Sequence, residues 1–201
     1  MLPCGKNSTG VVGLTLSQLG VFLATGILLS VVLIFVFSND WQRTAELRSL
    51  SSDFSHLLED CNNMFFEQSV LFQFPGKSYV YLVHLSTEYL VLSSEGSWGT
   101  DLLVTERFVV QPWPRLNNQT WTTGEELHTY LNDTYGYRGT KDDRIPAENV
   151  TQFLRDLTAT IPFFAFHPFE IQIRNPVVLE KVIVYDAQDT THEFLLLYQV
   201  S

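Results

Sequence analysis

The residues best suited to metal binding or acid–base catalysis are scattered along this sequence. Its five histidines show no metal-ligand spacing such as HExxH, and no cysteine pair accompanies any of them. The sequence also lacks a GxSxG nucleophile elbow, a Walker A loop and a dinucleotide-binding fingerprint. We therefore expect no catalytic residue, no metal ligand and no cofactor. The histidines are His56, His84, His128, His167 and His192.

Two local groupings of polar residues have ordinary explanations. Glu125 and His128 lie three apart on a predicted helix, a spacing typical of a surface pair when no further ligand is in view. Asp142 and Asp143 fall in a polar loop whose spacing does not match an EF-hand. An anchored hydrolase stays an alternative, and it requires a histidine within hydrogen-bond reach of a Ser, Asp or Glu in a cleft.

A long uncharged segment near the N-terminus dominates the hydropathy pattern. No charged residue lies between Lys6 and Asp40, and Val11–Phe37 would form a helix of roughly 40 Å, against a hydrocarbon core of roughly 30 Å. A cleaved signal would be shorter and end in small residues, and a buried helix of a soluble protein is the other alternative. We predict a short tail (1–10), a transmembrane helix (11–37) acting as a signal anchor, and a domain (40–201).

The predicted domain is strongly acidic. It holds all 22 acidic residues and all basic residues of the chain except Lys6, which gives it a net charge of −11. Such a surface repels the phosphate backbone, so nucleic acid is excluded as a partner. The partner that the sequence does predict is the lipid bilayer.

Sequons favour an outside location for the domain. Lys6 before the helix and Arg43 and Arg48 after it specify the orientation only weakly. Three N-glycosylation sequons nevertheless cluster after the apolar segment, and a fourth begins at Asn7. We therefore expect a single-pass membrane glycoprotein with its C-terminal domain outside, although these asparagines would look the same if unmodified. The clustered candidates are Asn118, Asn132 and Asn149.

Cysteine usage adds little. Cys4 precedes the apolar segment and Cys61 follows it, so a bilayer would separate the two thiols. We expect no disulfide between them.

An amphipathic stretch follows the anchor. Apolar residues recur there at spacings of three, four and one, which is typical of one helical face. No Pro or Gly lies between Gly26 and Pro75. We predict one helix from about residue 13 to 66, whose second half packs on a sheet, with a break at 38–40 as the alternative. The predicted packing stripe is Leu47, Leu50, Phe54, Leu57, Leu58, Cys61, Met64 and Phe65.

The rest of the domain alternates between strand and helix signals. Segments 78–84, 88–92, 102–110, 169–174, 177–185 and 193–200 have β-branched, aromatic or alternating patterns. Two inserted helices are predicted. A doubled capping box at Thr122 and Thr123 begins the first, and Pro146 suits the first turn of the second. The predicted fold is α+β, with the long helix on an antiparallel sheet of about five or six strands.

Aromatic residues in or beside predicted loops are candidate contact residues. Exposed aromatics suit protein or glycan contacts, whereas packing of the loops onto the sheet is the alternative. The candidates are Trp113, Trp121, Tyr135 and Tyr137.

The apolar run at 11–37 followed by the stripe at 47–65 resembles the N-terminal helix of type IV pilins and pilin-like proteins. In its acidity and its sequons, the chain resembles archaeal surface members of that family. The segments 121–140 and 179–200 look like segments of uncharacterised membrane-anchored proteins of methanogenic archaea. The resemblance implies a structural, adhesive or assembly role, with other pilin-like subunits or cell-surface proteins as partners. The chain departs from the pilin pattern in having no acidic residue within the apolar run. A membrane-tethered extracellular module that binds a ligand or glycan is the alternative function.

Overall fold

A computed structural model describes residues 9–114 and 121–200 of the protein. For residues 9–16, 36–38, 98 and 114 it describes the backbone alone. The chain divides into two compact units after Arg43. The helices are α1 (Thr9–Asn62), α2 (Gly124–Tyr135), α3 (Ala147–Thr158) and α4 (Ile161–Phe166), and a 3₁₀ turn covers Ser97–Gly99. The strands are β1 (Gln68–Phe72), β2 (Tyr81–Leu85), β3 (Tyr89–Glu95), β4 (Asp101–Arg107), β5 (Pro112–Pro114), β6 (Phe169–Ile171), β7 (Val177–Tyr185) and β8 (Thr191–Gln199).

The α+β class is confirmed, but the strands form two sheets instead of one. The first sheet has the order β1-β7-β8-β5 and the second the order β4-β3-β2-β6. Neighbouring strands are antiparallel except β5, which pairs in parallel with β8. Two pairs of consecutive strands form hairpins, β2–β3 and β7–β8. Pro112 and Pro114 lie in the edge strand β5, where a missing N–H can face away from the ladder.

The second half of α1 provides one side of an inner core. Buried residues of α1 cluster there with one face of each sheet. On β7, Val177 and Leu179 belong to this inner core, whereas Val178 and Val182 belong to a second cluster. Because strand side chains alternate between faces, the second cluster, the outer core, lies on the opposite face of the first sheet. There α2 and α3 cover the sheet with Leu127, Leu131, Val150 and Phe153.

The packing stripe is correct over its helical part and wrong at its end. Its buried members are Leu47, Leu50, Phe54, Leu58 and Cys61, and Leu57 is partly buried against them. Met64 and Phe65 had been predicted to continue the stripe to about residue 66. They are exposed, and Phe65 is 96% exposed, because α1 ends at Asn62 and the helical spacing no longer applies.

The inserted helices begin where the sequence predicts. Thr123 caps α2 through a complete capping box with Glu126. Gly136 ends the helix in the left-handed conformation, at φ 80°. Neither β1 nor α4 was predicted from the sequence.

Candidate functional site

The first part of α1 carries apolar side chains with no protein cover. Among the described helices, α1 alone is long and apolar enough to span a membrane, with mean hydropathy 2.8 in its apolar window. Side chains of that window are exposed, for example Phe22, Leu28 and Ile34. A bilayer solvates such a surface, whereas water does not.

The sequons lie in different surroundings. Asn118 lies outside the described residues. Asn132 is exposed on the last turns of α2, as is Thr134, the third residue of its sequon. Asn149 is half-buried in the first turn of α3, and its sequon partner Thr151 donates a hydrogen bond from its hydroxyl to the carbonyl of Ala147. Of the two described sequons, Asn132 offers the more accessible amide.

Most of the candidate contact aromatics pack inside the domain. Trp121 is a buried member of the outer core, 6.2 Å from Phe153 between ring centroids. Trp113 and Tyr135 are partly buried against the same cluster. Only Tyr137 of this set is well exposed. The predicted contact role of Trp121 is therefore wrong, because its side chain packs into the outer core on the first sheet.

A buried lysine stands at the C-terminal end of α1. Lys181 projects from β7 and donates hydrogen bonds to the backbone carbonyls of Asn62 and Met64 and to Oε2 of Glu193, the last at 2.8 Å. It is 2% exposed, and α1 has no basic residue in its own last turn. A cation there satisfies orphan carbonyls and opposes the negative end of the helix dipole. The signal in the sequence was a lone lysine inside the apolar strand 177–185.

The thiol of Cys61 lies beside this lysine. Burial raises the pKa of the Cys61 thiol above its usual value. The charge of Lys181 and hydrogen bonding to Gln68 lower this pKa, but by a smaller amount. A buried thiol of raised pKa is a poor nucleophile. Cys61 packs as a buried member of the inner core.

His128 meets the geometric requirement stated for a hydrolase, but its ring nitrogens are already engaged. It lines a cleft of about 310 Å³ together with Glu67 and Ser69. Its Nδ1 lies 2.7 Å from the carbonyl of Arg138, and its Nε2 lies 3.4 Å from Oε1 of Glu67. Because both nitrogens face acceptors, neither is placed to take a proton from a serine. The arrangement joins α2 to the start of β1.

Glu125 and Asp143, acids that had been considered as cation ligands, bond to Arg138 instead. The Arg138 guanidinium donates to Oε1 of Glu125 at 2.6 Å, and the Arg138 amide donates to Oδ2 of Asp143 at 2.9 Å. Over residues 9–114 and 121–200, no group of three or more His, Cys, Asp or Glu side chains is arranged to hold a metal ion.

The loop between β7 and β8 is built on a buried carboxylate. Oδ1 of Asp186 accepts hydrogen bonds from the amides of Gln188 and Thr190, and its Oδ2 lies 3.2 Å from Nε2 of His192. Desolvation by itself raises the pKa of Asp186. The hydrogen bonds from Thr190, His192 and Gln188 lower this pKa by more, so that it lies below its usual value. This pair turns the chain and is not a free acid–base couple.

The outer face of the second sheet carries a shallow apolar depression. It has a volume of about 630 Å³ and is lined by Leu82, Val91 and Leu103, with Glu95 and Asp101 at one end. Leu103 is 63% exposed. An exposed apolar patch with a polar rim is typical of an interaction surface. The depression has no signal in the sequence, because outward Leu and Val residues on a strand look like core residues until the covered face is known.

Comparison with known proteins leaves the chain without an assigned relative. No protein-family model matches it, and neither the curated proteins nor the solved structures include a significant match.

Proposed function

We propose that this chain is a membrane-anchored cell-surface protein of pilin-like architecture, with a structural, adhesive or assembly role and no catalysis. One observation carries the proposal. The same helix, α1, has exposed apolar side chains from Leu19 to Phe35 and then supplies Leu47–Cys61 to the inner core of the domain. A helix that both anchors and nucleates a domain is the economical way to display that domain at a membrane.

The charge distribution and the site geometry support a non-catalytic role. The domain is acidic, with a net charge of −11. His128 and His192, which contact carboxylates in part-buried positions, stabilise a packing contact and a turn. The exposed sequon at Asn132 supports an outside orientation.

Membrane anchoring is tested by fractionation of cells that express the full chain. We expect the protein to resist carbonate extraction. The variant Leu23→Lys/Leu28→Lys/Val31→Lys should be released, because each lysine at the centre of a span costs about 3 kcal/mol on insertion scales. The matched variant with alanine at the same three positions should remain in the membrane. Release of the unmodified chain would defeat the proposal.

Orientation and assembly need separate measurements. Protease added to intact cells should digest the domain if it is outside, and mass spectrometry should find a glycan on Asn132. Mass spectrometry of the N-terminus tests filament assembly in the pilin manner, which requires a processed end. An intact Met1 would restrict the role to an anchored surface protein.

An extracellular ligand-binding module is the second candidate. The depression on the second sheet favours it, although aliphatic residues rather than tryptophans line the site. Its apolar lining suits a protein or lipid-like ligand better than a glycan, which aromatic side chains usually stack on. Leu103→Asp should abolish such binding. Thr105→Asp should affect it less, because Thr105 is the next residue on the same face of β4 and does not line the depression.

A further inference from the structure

Strand β4 forms an open edge of the second sheet. Within the described part of the chain it pairs with β3 and with no other strand. It spans seven residues, Asp101–Arg107, whereas the opposite edge strand β6 has only three. Long unprotected edges template pairing with another chain, and proteins usually block them with proline, with charged side chains, especially lysine, or with a bulge. The seven residues of β4 include neither proline nor lysine.

The hydrogen-bond pattern fixes which groups of β4 face outward. The amide of Phe108 donates to the carbonyl of Glu88, and the amide of Gly96 donates to the carbonyl of Thr100. In an antiparallel ladder bonded pairs alternate with non-bonded pairs. Even-numbered residues of β4 therefore bond to β3, and the N–H and C=O groups of its odd-numbered residues point to the open edge. These are Asp101, Leu103, Thr105 and Arg107.

The side chains of β4 are complementary to a reversed copy of the same strand. A two-fold axis at Val104 would place Asp101 opposite Arg107 of the second copy, and Leu103 opposite its Thr105. By symmetry these odd-numbered residues form four hydrogen-bonded pairs, because the N–H and C=O groups of both members face the open edge; the even-numbered residues between them form the non-bonded pairs of the ladder. Asp101 and Arg107 are exposed, and neither makes an ion pair within the described residues. The edge strand β1 of the first sheet spans five residues, and none of them is charged, so it has no ion pair to set such a register.

We propose that two copies of this chain associate through antiparallel pairing of their β4 edges, centred on Val104. The second sheet would then continue across both copies, with two Asp101–Arg107 ion pairs on its outer face. The exposed Leu103 side chains would extend the apolar depression across the join. Opposite charges directly across an antiparallel pair stabilise it, and like charges destabilise it.

Two contacts show in which direction the second half of α1 runs relative to β4. Glu46 of α1 contacts Lys77 and the Tyr79 hydroxyl, just before β2, at the sheet end where β2 and β4 both begin. Eight residues later, Phe54 lies 6.3 Å from Phe108, directly after the end of β4. This segment of α1 therefore runs in the same direction as β4.

Reversing β4 in the second copy also reverses this segment of α1. The chains leading to the two N-terminal anchors would then leave the pair at opposite ends. Such pairing suits copies on two facing membranes, that is, homophilic adhesion. The inference rests on the proposed function for its membrane setting, and it specifies the partner as a second copy of this chain. A single weak edge contact is sufficient there, because many copies act together.

Vesicle clustering tests the inference with full-length protein. The chain is reconstituted into neutral phosphatidylcholine vesicles, outward orientation is verified by added protease, and clustering is followed by light scattering. We expect wild-type vesicles to cluster. Vesicles with Asp101→Arg alone, or Arg107→Asp alone, should stay dispersed, because each variant faces itself with two like-charge pairs. Mixing the two variant populations should restore clustering, because each substituted side chain then faces one of opposite charge across the pair.

A backbone variant gives an independent measure. Thr105→Pro removes an outward N–H without removing a hydrogen bond to β3, so clustering should be lost while the fold persists. Thr105→Val keeps the N–H and should cluster like the wild type.

Several outcomes would overturn the inference. Dispersed wild-type vesicles, single variants that cluster like wild type, or a mixture that stays dispersed each contradict pairing through β4. These results leave the anchoring and orientation experiments in cells unaffected, so the two proposals fail separately.

Discussion

The ammonium group of Lys181 donates a hydrogen bond of 2.5 Å to the backbone carbonyl of Met64, two residues beyond the end of α1. With its second bond to the carbonyl of Asn62, this contact fastens the end of the long helix to the middle of the first sheet. A residue remote in sequence thus supplies the cation that the helix lacks in its last turn. The contact shows how the helix end and the sheet are fixed to each other.

Replacing this lysine should destabilise the domain strongly. Lys181→Met keeps much of the side-chain volume but leaves two part-buried carbonyls without their donor, at a cost of about 3 kcal/mol. Glu193, its ion-pair partner, is 44% exposed at the side chain, so Glu193→Gln should cost less than about 1 kcal/mol. Urea denaturation of the full chain in detergent, followed by tryptophan fluorescence, measures both. Equal losses for the two variants would show that the carbonyl contacts contribute little.

The local elements could be predicted from the sequence because their signals are local. The capping box at Thr123 and Glu126, the glycine at 136 and the apolar alternation of 177–185 each specify one element through neighbours a few residues away. The helix end at Asn62 was predicted four residues too late, because the Met64-Phe65 pair continues the helical spacing. At Asn62 the backbone carbonyl instead accepts a hydrogen bond from Lys181, a contact far away in the sequence.

The division into two sheets and the open edge at β4 could not be predicted. Which strands pair depends on contacts over long sequence separations, such as β1 with β7. The apolar residues Leu82, Val91 and Leu103 gave no sign of facing outward, since β-branched and aliphatic residues are equally suited to a buried face. Trp121 is the reverse case. Its position in a predicted loop suggested exposure, but its side chain packs onto the sheet.

The end of the packing stripe can be tested with a matched pair of phenylalanines. Phe54 is fully buried between Phe72, Phe74 and Phe108, so Phe54→Ala should lower the free energy of unfolding by about 3–5 kcal/mol. Phe65 is 96% exposed, so Phe65→Ala should change it by less than about 0.5 kcal/mol. Chemical denaturation provides both values. A large loss for Phe65→Ala would mean that the helical stripe extends beyond Asn62.

Asp186 should make the stability of the domain depend on pH in the acid range. Its pKa in the folded state lies below the usual value. The stabilisation that its carboxylate provides is therefore fully present above the unfolded pKa of about 3.9 and is lost as pH falls through the folded pKa. Asp186→Asn should therefore be less stable than wild type at pH 7, and this difference should shrink below about pH 4. Thermal unfolding across this range measures the effect.

The control for Asp186 is Asp133→Asn, an exposed position on α2 where little change is expected at any pH. A difference between wild type and Asp186→Asn that stays constant down to pH 2 would assign the loss to altered turn geometry instead of charge.

Tyr81 should produce the opposite dependence in the alkaline range. Burial raises its pKa to about 12, and its hydroxyl donates a hydrogen bond of 2.7 Å to the carbonyl of Pro75. A folded pKa above the unfolded value of about 10 means that the stabilisation is complete below pH 10 and is lost as pH rises toward 12. Tyr81→Phe should cost about 1 kcal/mol at neutral pH and should flatten the fall in stability above pH 10. Tyr137, which is 40% exposed, gives the matched variant Tyr137→Phe, and its alkaline profile should follow wild type. If Tyr81→Phe followed wild type as well, the buried hydroxyl would not be the group that titrates on unfolding.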